Sequence, residues 1–123
     1  MAYLTDRKRA TYRGSSRTGT THFWRQTISA VGLAVLIPIF VLQFGSILGS
    51  SHADVLAYYG RPFPAIIAAM TITVAMVHFR HGMQVVIEDY TRGLTKKFLI
   101  ILFTCIAYAF AATGLFALAR IAL

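Results

Sequence analysis

Three long apolar segments decide what this chain of 123 residues can fold into. They cover about residues 26–48, 63–88 and 97–120, and each reaches the roughly 20 residues that an α-helix needs to cross about 30 Å of hydrocarbon. Backbone N–H and C=O groups inside a bilayer must be paired within the protein, which favours helices for segments of this length. The sequence therefore predicts an all-α integral membrane protein with three transmembrane helices.

The charged residues are unevenly placed along the chain. Lys and Arg number 12 against 4 Asp and Glu, and the net charge of +8 taken alone suggests nucleic-acid binding. The basic residues instead concentrate before the first apolar segment and in the loop after the second, as expected for cytoplasmic segments. We predict no nucleic-acid partner, a basic cytoplasmic tail over residues 1–24 and a three-helix membrane domain over residues 25–123.

These features predict a multi-pass protein of the bacterial inner membrane with a cytoplasmic N-terminus. The composition of the tail is also compatible with a mitochondrial transit peptide, so the mitochondrial inner membrane is the less favoured alternative. Residues 49–61 carry little positive charge, which predicts a short loop on the non-cytoplasmic side, with one turn of helix at the interface.

Prolines mark the first span and the start of the second. Pro38 removes one backbone donor inside the first apolar segment and predicts a local kink there. Pro62 and Pro64 suit the first turn of the second helix, because N–H groups at these early positions have no intrahelical acceptor.

The second apolar segment contains a group of ionisable residues. His78, Arg80 and His81 lie within one helical turn, and the segment ends on two carboxylates. Ionisable groups are costly in hydrocarbon and commonly functional. At about 100° per residue, His78, Gly82 and Asp89 share one helix face, and His78 lies about 15 Å before the end of the span, near mid-membrane depth. We therefore expect the functional residues of the chain to lie along this helix face.

Two interpretations of His78 remain open on this pattern. A neutral imidazole at this depth can hydrogen-bond a polar group on another helix, or it can be an axial ligand of haem iron. Gly82 leaves a flat recess one turn away, which suits either close helix packing or the edge of a planar ligand. His81 is the weaker candidate ligand because it is rotated about 60° from His78. Arg80 points to the opposite side, where it would snorkel or pair with another subunit.

Asp89 and Tyr90 lie at the cytoplasmic end of the second predicted helix. Two carboxylates, Glu88 and Asp89, are locally unfavourable at a helix C-terminus, because that end carries partial negative charge. This cost favours a functional role for at least one of them. Tyr90 is either an interfacial anchor, the commonest role for such a tyrosine, or the donor of a hydrogen bond to a carbonyl ligand.

The spacing His78, three residues, Gly82, six residues, Asp89, Tyr90, at the end of the second of three spans, resembles one known family. This is the family of the smaller membrane-anchor subunits (the cytochrome b556 small subunits) of succinate dehydrogenase, respiratory complex II. The resemblance covers about residues 22–123. It implies that His78 is an axial ligand of haem b, that Tyr90 hydrogen-bonds ubiquinone and that Asp89 lies close to that site.

The start of the first span adds to this resemblance. Members of the family carry an arginine at this depth, near the haem propionates and the quinone pocket, which implies the same role for Arg25. From the residues alone, a positive-inside anchor is an equal alternative for Arg25. His22 and His81 are further candidate contacts to a propionate or to the quinone site. The long basic tail, and His81 beside Gly82, depart from the family pattern.

The resemblance also implies a set of partners. A flavoprotein subunit, an iron–sulfur subunit and a second, larger membrane-anchor subunit would complete the enzyme, and this second anchor would supply the other haem histidine. The three helices would then form half of a two-chain anchor bundle, and the chain would catalyse no complete reaction alone. Two alternatives stay open: a fumarate reductase or haem-free anchor, and a small accessory protein whose intramembrane His and Arg conduct protons or ions.

Overall fold

The computed structural model describes residues 5–7 and 19–123. Within residues 19–123 it contains four α-helices, numbered here in chain order as α1, Gly19–Ser46; α2, His52–Tyr59; α3, Pro62–Tyr90; and α4, Gly93–Ala122. Helices α1, α3 and α4 are each long and apolar enough to cross a membrane. The predicted all-α fold with three membrane-spanning helices is confirmed.

The three long helices extend beyond the apolar segments. Helix α1 begins at Gly19, so that His22 and Arg25 lie on a helix rather than at the end of a tail. Helix α4 begins at Gly93, ahead of the predicted start near residue 97. Hydropathy marks only the part of a helix that lies in hydrocarbon, whereas its backbone hydrogen bonds can continue into the polar interface. Residues 1–4 and 8–18 of the predicted tail lie outside the described residues.

The prolines lie where a helix tolerates them. Pro62 and Pro64 occupy the first turn of α3, directly after the extended N-cap residue Arg61, as the sequence predicts. Pro38 lies inside α1, and the helix continues on both sides of it. Membrane helices accept such a proline when neighbouring groups cover the carbonyl that it leaves free.

The connection between α1 and α3 contains a helix of 8 residues, α2, instead of the single predicted turn. Ser51 caps it, since its Oγ accepts a hydrogen bond from the Asp54 backbone N–H at 3.2 Å and donates one to Asp54 Oδ2 at 2.6 Å. A cap of this kind typically contributes about 1 kcal/mol. Helix α2 is held to the bundle by a small buried cluster of Ile47, Tyr59 and Ala68.

Helix α3 is the central helix of the bundle. It packs against both α1 and α4, whereas no Cα atom of α1 lies within 8 Å of a Cα atom of α4 in residues 19–123. Only two residues separate α3 from α4, and Gly93 permits this tight reversal with a φ of 65°, a left-handed conformation that glycine adopts without steric cost. On α4, Gly114 allows close approach, because a Cβ there would lie 3.2 Å from Ile72 Cδ1.

Most apolar side chains of the spans face outward. Phe110 and Phe116 on α4 expose 67% and 65% of their surfaces, whereas small residues such as Ala68 and Ala107 are buried between helices. Contiguous apolar surface of this extent is unsuited to water and suits lipid tails or the helices of another subunit. The outer surface of the three long helices is therefore suited to contact with lipid or with another membrane subunit.

Candidate functional site

His78 on α3 lies against a polar patch of α1. Its Nδ1 is 3.0 Å from Ser29 Oγ, and its Nε2 is 3.4 Å from the side-chain Nε2 of Gln26. Ser29 is buried, while Gln26 and His78 are half-buried. Both ring nitrogens therefore have polar neighbours on the adjacent helix, which is the hydrogen-bonding interpretation of this histidine. The haem-ligand interpretation requires in addition that Gln26 leave Nε2.

Gln26 borders the recess predicted at Gly82. A Cβ on Gly82 would lie 3.5 Å from Gln26 Nε2, an ordinary van der Waals distance, so the packing of α1 beside His78 leaves room for a methyl group here. Gln26 Oε1 is buried and has no hydrogen-bond partner in the described part of the chain. An unpaired buried polar atom costs about 1–3 kcal/mol. The amide of Gln26 is therefore incompletely satisfied where it lies.

His81 lies in a different environment. It is only 6% exposed, and its Nδ1 donates a hydrogen bond to the Val77 carbonyl at 2.7 Å. In the neutral ring, Nε2 is therefore the unprotonated nitrogen. The His81 ring lies beside that of His22, with centroids 5.4 Å apart, and His22 Nε2 is buried without a hydrogen-bond partner among the described residues. The structure thus brings together two of the predicted site histidines.

Cavities open between α1 and α3 beside these rings. The larger has a volume of about 510 Å³ and mostly apolar walls, with Arg25, Arg80 and His81 among its lining residues. A smaller cavity of about 290 Å³ is lined by the same three residues together with His22. His78 lines neither cavity, since its ring is turned toward Gln26 and Ser29.

Arg25 and Arg80 bring positive charge to these cavities. Neither forms an ion pair within residues 5–7 and 19–123, a range that includes all 4 acidic residues of the chain. Arg80 Nε is buried and unpartnered there, and Arg80 Cζ lies 5.7 Å from the centroid of the Tyr108 ring on α4. The helical wheel placed Arg80 on the side opposite His78, but its long side chain reaches the cavities beside Arg25. Two unpaired guanidinium groups favour an anionic ligand.

Asp89 and Tyr90 lie about 18 Å along the α3 axis from His78. Both are exposed, and Tyr90 exposes 86% of its surface. Within the described residues neither side chain has a hydrogen-bond partner, whereas Glu88 Oε1 accepts a hydrogen bond from Gln84 Nε2 at 3.0 Å. The structure does not bring Asp89 and Tyr90 to the histidines. It leaves them on a surface that a ligand or partner can reach.

Sequence reasoning missed the roles of Gln26, Ser29 and Arg80 in this geometry. A signal was present for the first two, because polar residues three apart near the start of an apolar span share a helix face. Their contact with His78 depends on how α1 crosses α3, which no single-helix pattern contains. The position of Arg80 beside the cavities was missed because a helical wheel describes where a side chain leaves the helix and not where its end lies.

The architecture defines an integral membrane subunit with outward apolar faces, whose intramembrane ionisable residues gather between its first two spans. The sequence model of the family described as succinate dehydrogenase/fumarate reductase transmembrane subunit matches residues 1–116. The chain belongs to this family and is a succinate dehydrogenase membrane anchor. The predicted resemblance is thereby confirmed.

Individual relatives agree with this assignment. The chain is 45% identical over 123 residues to the succinate dehydrogenase hydrophobic membrane anchor subunit of Paracoccus denitrificans, covering 100% of this chain and 95% of the relative. It is 31% identical over 81 residues to the succinate dehydrogenase membrane anchor subunit of Reclinomonas americana, covering 63% and 68%. The hydrophobic membrane anchor subunit of Rickettsia typhi is 31% identical over 77 residues, covering 62% and 61%. No solved structure matches the chain with significance.

Proposed function

We propose that this membrane anchor forms one wall of a haem b site and one wall of a ubiquinone site, and tethers the subunits that oxidise succinate. Membership of the family implies association with other subunits of the complex. The observation that carries the haem assignment is the half-buried His78 near mid-membrane depth, whose Nδ1 lies 3.0 Å from Ser29 Oγ, an acceptor for the ring proton that an iron ligand keeps. In this role the chain completes no reaction alone.

The residues between α1 and α3 have side chains of the chemical types that a haem site needs. They offer an imidazole ligand, an apolar cavity of about 510 Å³ and two unpaired guanidinium groups that suit propionate carboxylates. His78 would hold the iron through Nε2, and Arg25, Arg80, His22 and His81 are the candidate propionate contacts. Haem, when bound, supplies a one-electron redox centre inside the membrane. A second histidine ligand would come from the other membrane anchor.

One observation favours His81 as a competing ligand. Its Nε2 is unprotonated in the neutral ring, its Nδ1 is fixed by a backbone carbonyl, and it lines the larger cavity, which His78 does not. A metal-ligating histidine commonly donates its other ring N–H in this way. His78 remains the first candidate, because the family spacing to Asp89 and Tyr90 begins there and because it lies deeper in the span.

Tyr90 is the proposed hydrogen-bond donor to ubiquinone. Reduction of a quinone carbonyl builds negative charge on its oxygen, which a phenol O–H held nearby stabilises. Asp89, adjacent in the chain, orients the Tyr90 side chain or delivers protons that the reduced quinone takes up. The high exposure of Tyr90 in the isolated chain supports a pocket whose remaining walls belong to partners.

The Tyr90 end of α3 faces the cytoplasm of a bacterial inner membrane in this proposal. Support comes from the positive charges of Arg92, Lys96 and Lys97, which follow α3 directly. The flavoprotein and iron–sulfur subunits dock on this side. The second membrane anchor covers part of the outward apolar surface of the three spans.

A reduced-minus-oxidised spectrum of the complex purified with this chain tests the proposal, provided that the co-purifying chains are identified. We expect a b-type haem signal in the wild-type complex, its loss in His78→Ala and its retention in His81→Ala. Loss in His81→Ala with retention in His78→Ala would move the ligand assignment to His81. A wild-type complex without a haem signal would contradict the haem role.

A further inference from the structure

The contacts of His78 contain an arrangement of hydrogen bonds that bears on iron binding. Ser29 Oγ is 3.0 Å from His78 Nδ1 and 2.9 Å from the backbone carbonyl oxygen of Gln26, to which its hydroxyl donates. A serine has one hydroxyl proton and two lone pairs. With its proton directed to the Gln26 carbonyl, Ser29 Oγ accepts from His78, an arrangement that goes with the tautomer whose ring proton is on Nδ1.

This assignment matches what an iron ligand requires. When a neutral histidine binds a metal through Nε2, its remaining proton must lie on Nδ1 and needs an acceptor. Ser29 Oγ lies at hydrogen-bond distance from Nδ1, in a contact between α1 and α3 where Ser29 is buried and His78 is half-buried. Within the described part of the chain, Ser29 is the partner of Nδ1.

The side chain of Gln26 lies against the other ring nitrogen of His78, Nε2. Its amide nitrogen lies 3.4 Å from His78 Nε2, which is long for a hydrogen bond, and its Oε1 is buried and unpaired in the described residues. Turning the amide over would place Oε1 against Nε2 and would require the ring proton on that nitrogen. In either orientation Gln26 covers the atom that iron needs, and the amide is held by weak or incomplete hydrogen bonding.

We propose that Ser29 is a positioning residue that accepts the Nδ1–H of His78 in the haem-bound complex, and that Gln26 is a placeholder on Nε2 that moves aside when haem enters. This inference rests on the proposed ligand role of His78. A hydrogen bond from Nδ1 makes the imidazole a stronger donor to iron, and removing such a partner typically lowers metal affinity about 10–100-fold. A stronger donor favours ferric over ferrous iron, so Ser29 lowers the midpoint potential of the haem.

The experiment measures haem content per complex and the haem midpoint potential in the full complex. In Ser29→Ala we expect haem affinity to fall about 10–100-fold and the midpoint potential to rise. A tenfold greater loss of ferric than of ferrous affinity corresponds to a rise of about 59 mV. Ser29→Thr keeps a hydroxyl and should restore both values. Ser46→Ala is the matched control, because Ser46 Oγ donates to the carbonyl oxygen three residues earlier, at 2.7 Å, on the same helix.

Gln26→Ala tests the placeholder. Removing a side chain that must leave Nε2 should keep haem content at or above the wild-type level, whereas a loss as complete as in His78→Ala would contradict the placeholder role. Unchanged haem content and potential in Ser29→Ala, in a complex that loses its haem in His78→Ala, would overturn the role of Ser29 alone. Retention of haem in His78→Ala would overturn both the ligand assignment and this inference.

Discussion

The two ends of the functional face of α3 differ in how much of a site this chain builds by itself. At the level of His78, α1 contributes Ser29 and Gln26, and both ring nitrogens have neighbours within hydrogen-bond distance. At the end of the helix, Asp89 and Tyr90 are exposed and have no hydrogen-bond partner in the described residues. The level of His78 is formed between two helices of the same chain, whereas the level of Asp89 and Tyr90 is an open surface.

This difference shows what each level demands of the partner subunits. A histidine in hydrocarbon needs polar neighbours even in the isolated chain, because an unpaired imidazole there is costly. A carboxylate and a phenol at the interface are hydrated without any partner, so their surroundings can be completed later by other subunits. The proposed haem level is therefore partly preformed, whereas the proposed quinone level forms on assembly.

The largest effect on one level alone is expected from a substitution of Tyr90, at the exposed end of α3. Tyr90→Phe removes the proposed donor to the quinone carbonyl and should lower the rate of quinone reduction by about 10–100-fold. Succinate oxidation with an artificial soluble acceptor, and the haem spectrum, should be unchanged, because the histidine level is about 18 Å away. Tyr58→Phe on α2 is the control. An equal loss with both acceptors would break the proposed division between the two levels.

The cationic residues beside the histidines should give a smaller effect. Arg25→Gln or Arg80→Gln removes one charge-assisted contact to a propionate, which corresponds to about a tenfold loss of haem affinity. The haem content that remains after detergent washing of the complex measures this loss of affinity. Arg92→Gln, in the exposed connection between α3 and α4, should retain haem like the wild type. If Arg92→Gln matched the other two, general surface charge and not a propionate site would explain the loss.

The smallest effect is expected away from both levels. Gly114→Ala places a methyl group 3.2 Å from Ile72 Cδ1 and 3.3 Å from Ile72 Cγ2, so that the Ile72 side chain must give way by a few tenths of an ångström. We expect a loss of stability of about 1 kcal/mol, with haem spectrum and quinone reduction intact. Thermal denaturation of the complex in detergent checks this. A Cβ on Gly45 meets nothing within 4 Å, so Gly45→Ala should not destabilise the complex. A larger effect at Gly45 would contradict this packing argument.

Much of the fold follows from patterns that lie within single segments. The three spans were predicted from length and hydropathy, and Pro62 and Pro64 marked the start of α3. The start of α1 at Gly19 was missed, since polar residues of an interfacial turn carry no hydropathy signal. The 8 residues of α2 form two turns where one was predicted, because their Ser51 cap was not recognised.

The candidate site was predictable only in part. His78, Asp89 and Tyr90 stand out because ionisable groups are rare in or beside an apolar span. Which side chains surround them depends on the crossing of α1 over α3. That crossing brings Gln26 to His78 and leaves His78 outside the larger cavity, and neither fact can be read from one helix alone.

The central claim, that two levels of one helix serve two ligands, is tested most directly by the reduced-minus-oxidised spectrum of His78→Ala and Tyr90→Phe complexes recorded side by side. We predict that the b-type haem signal disappears in His78→Ala and is fully retained in Tyr90→Phe. Retention of the signal in His78→Ala, or its loss in Tyr90→Phe, would contradict the account.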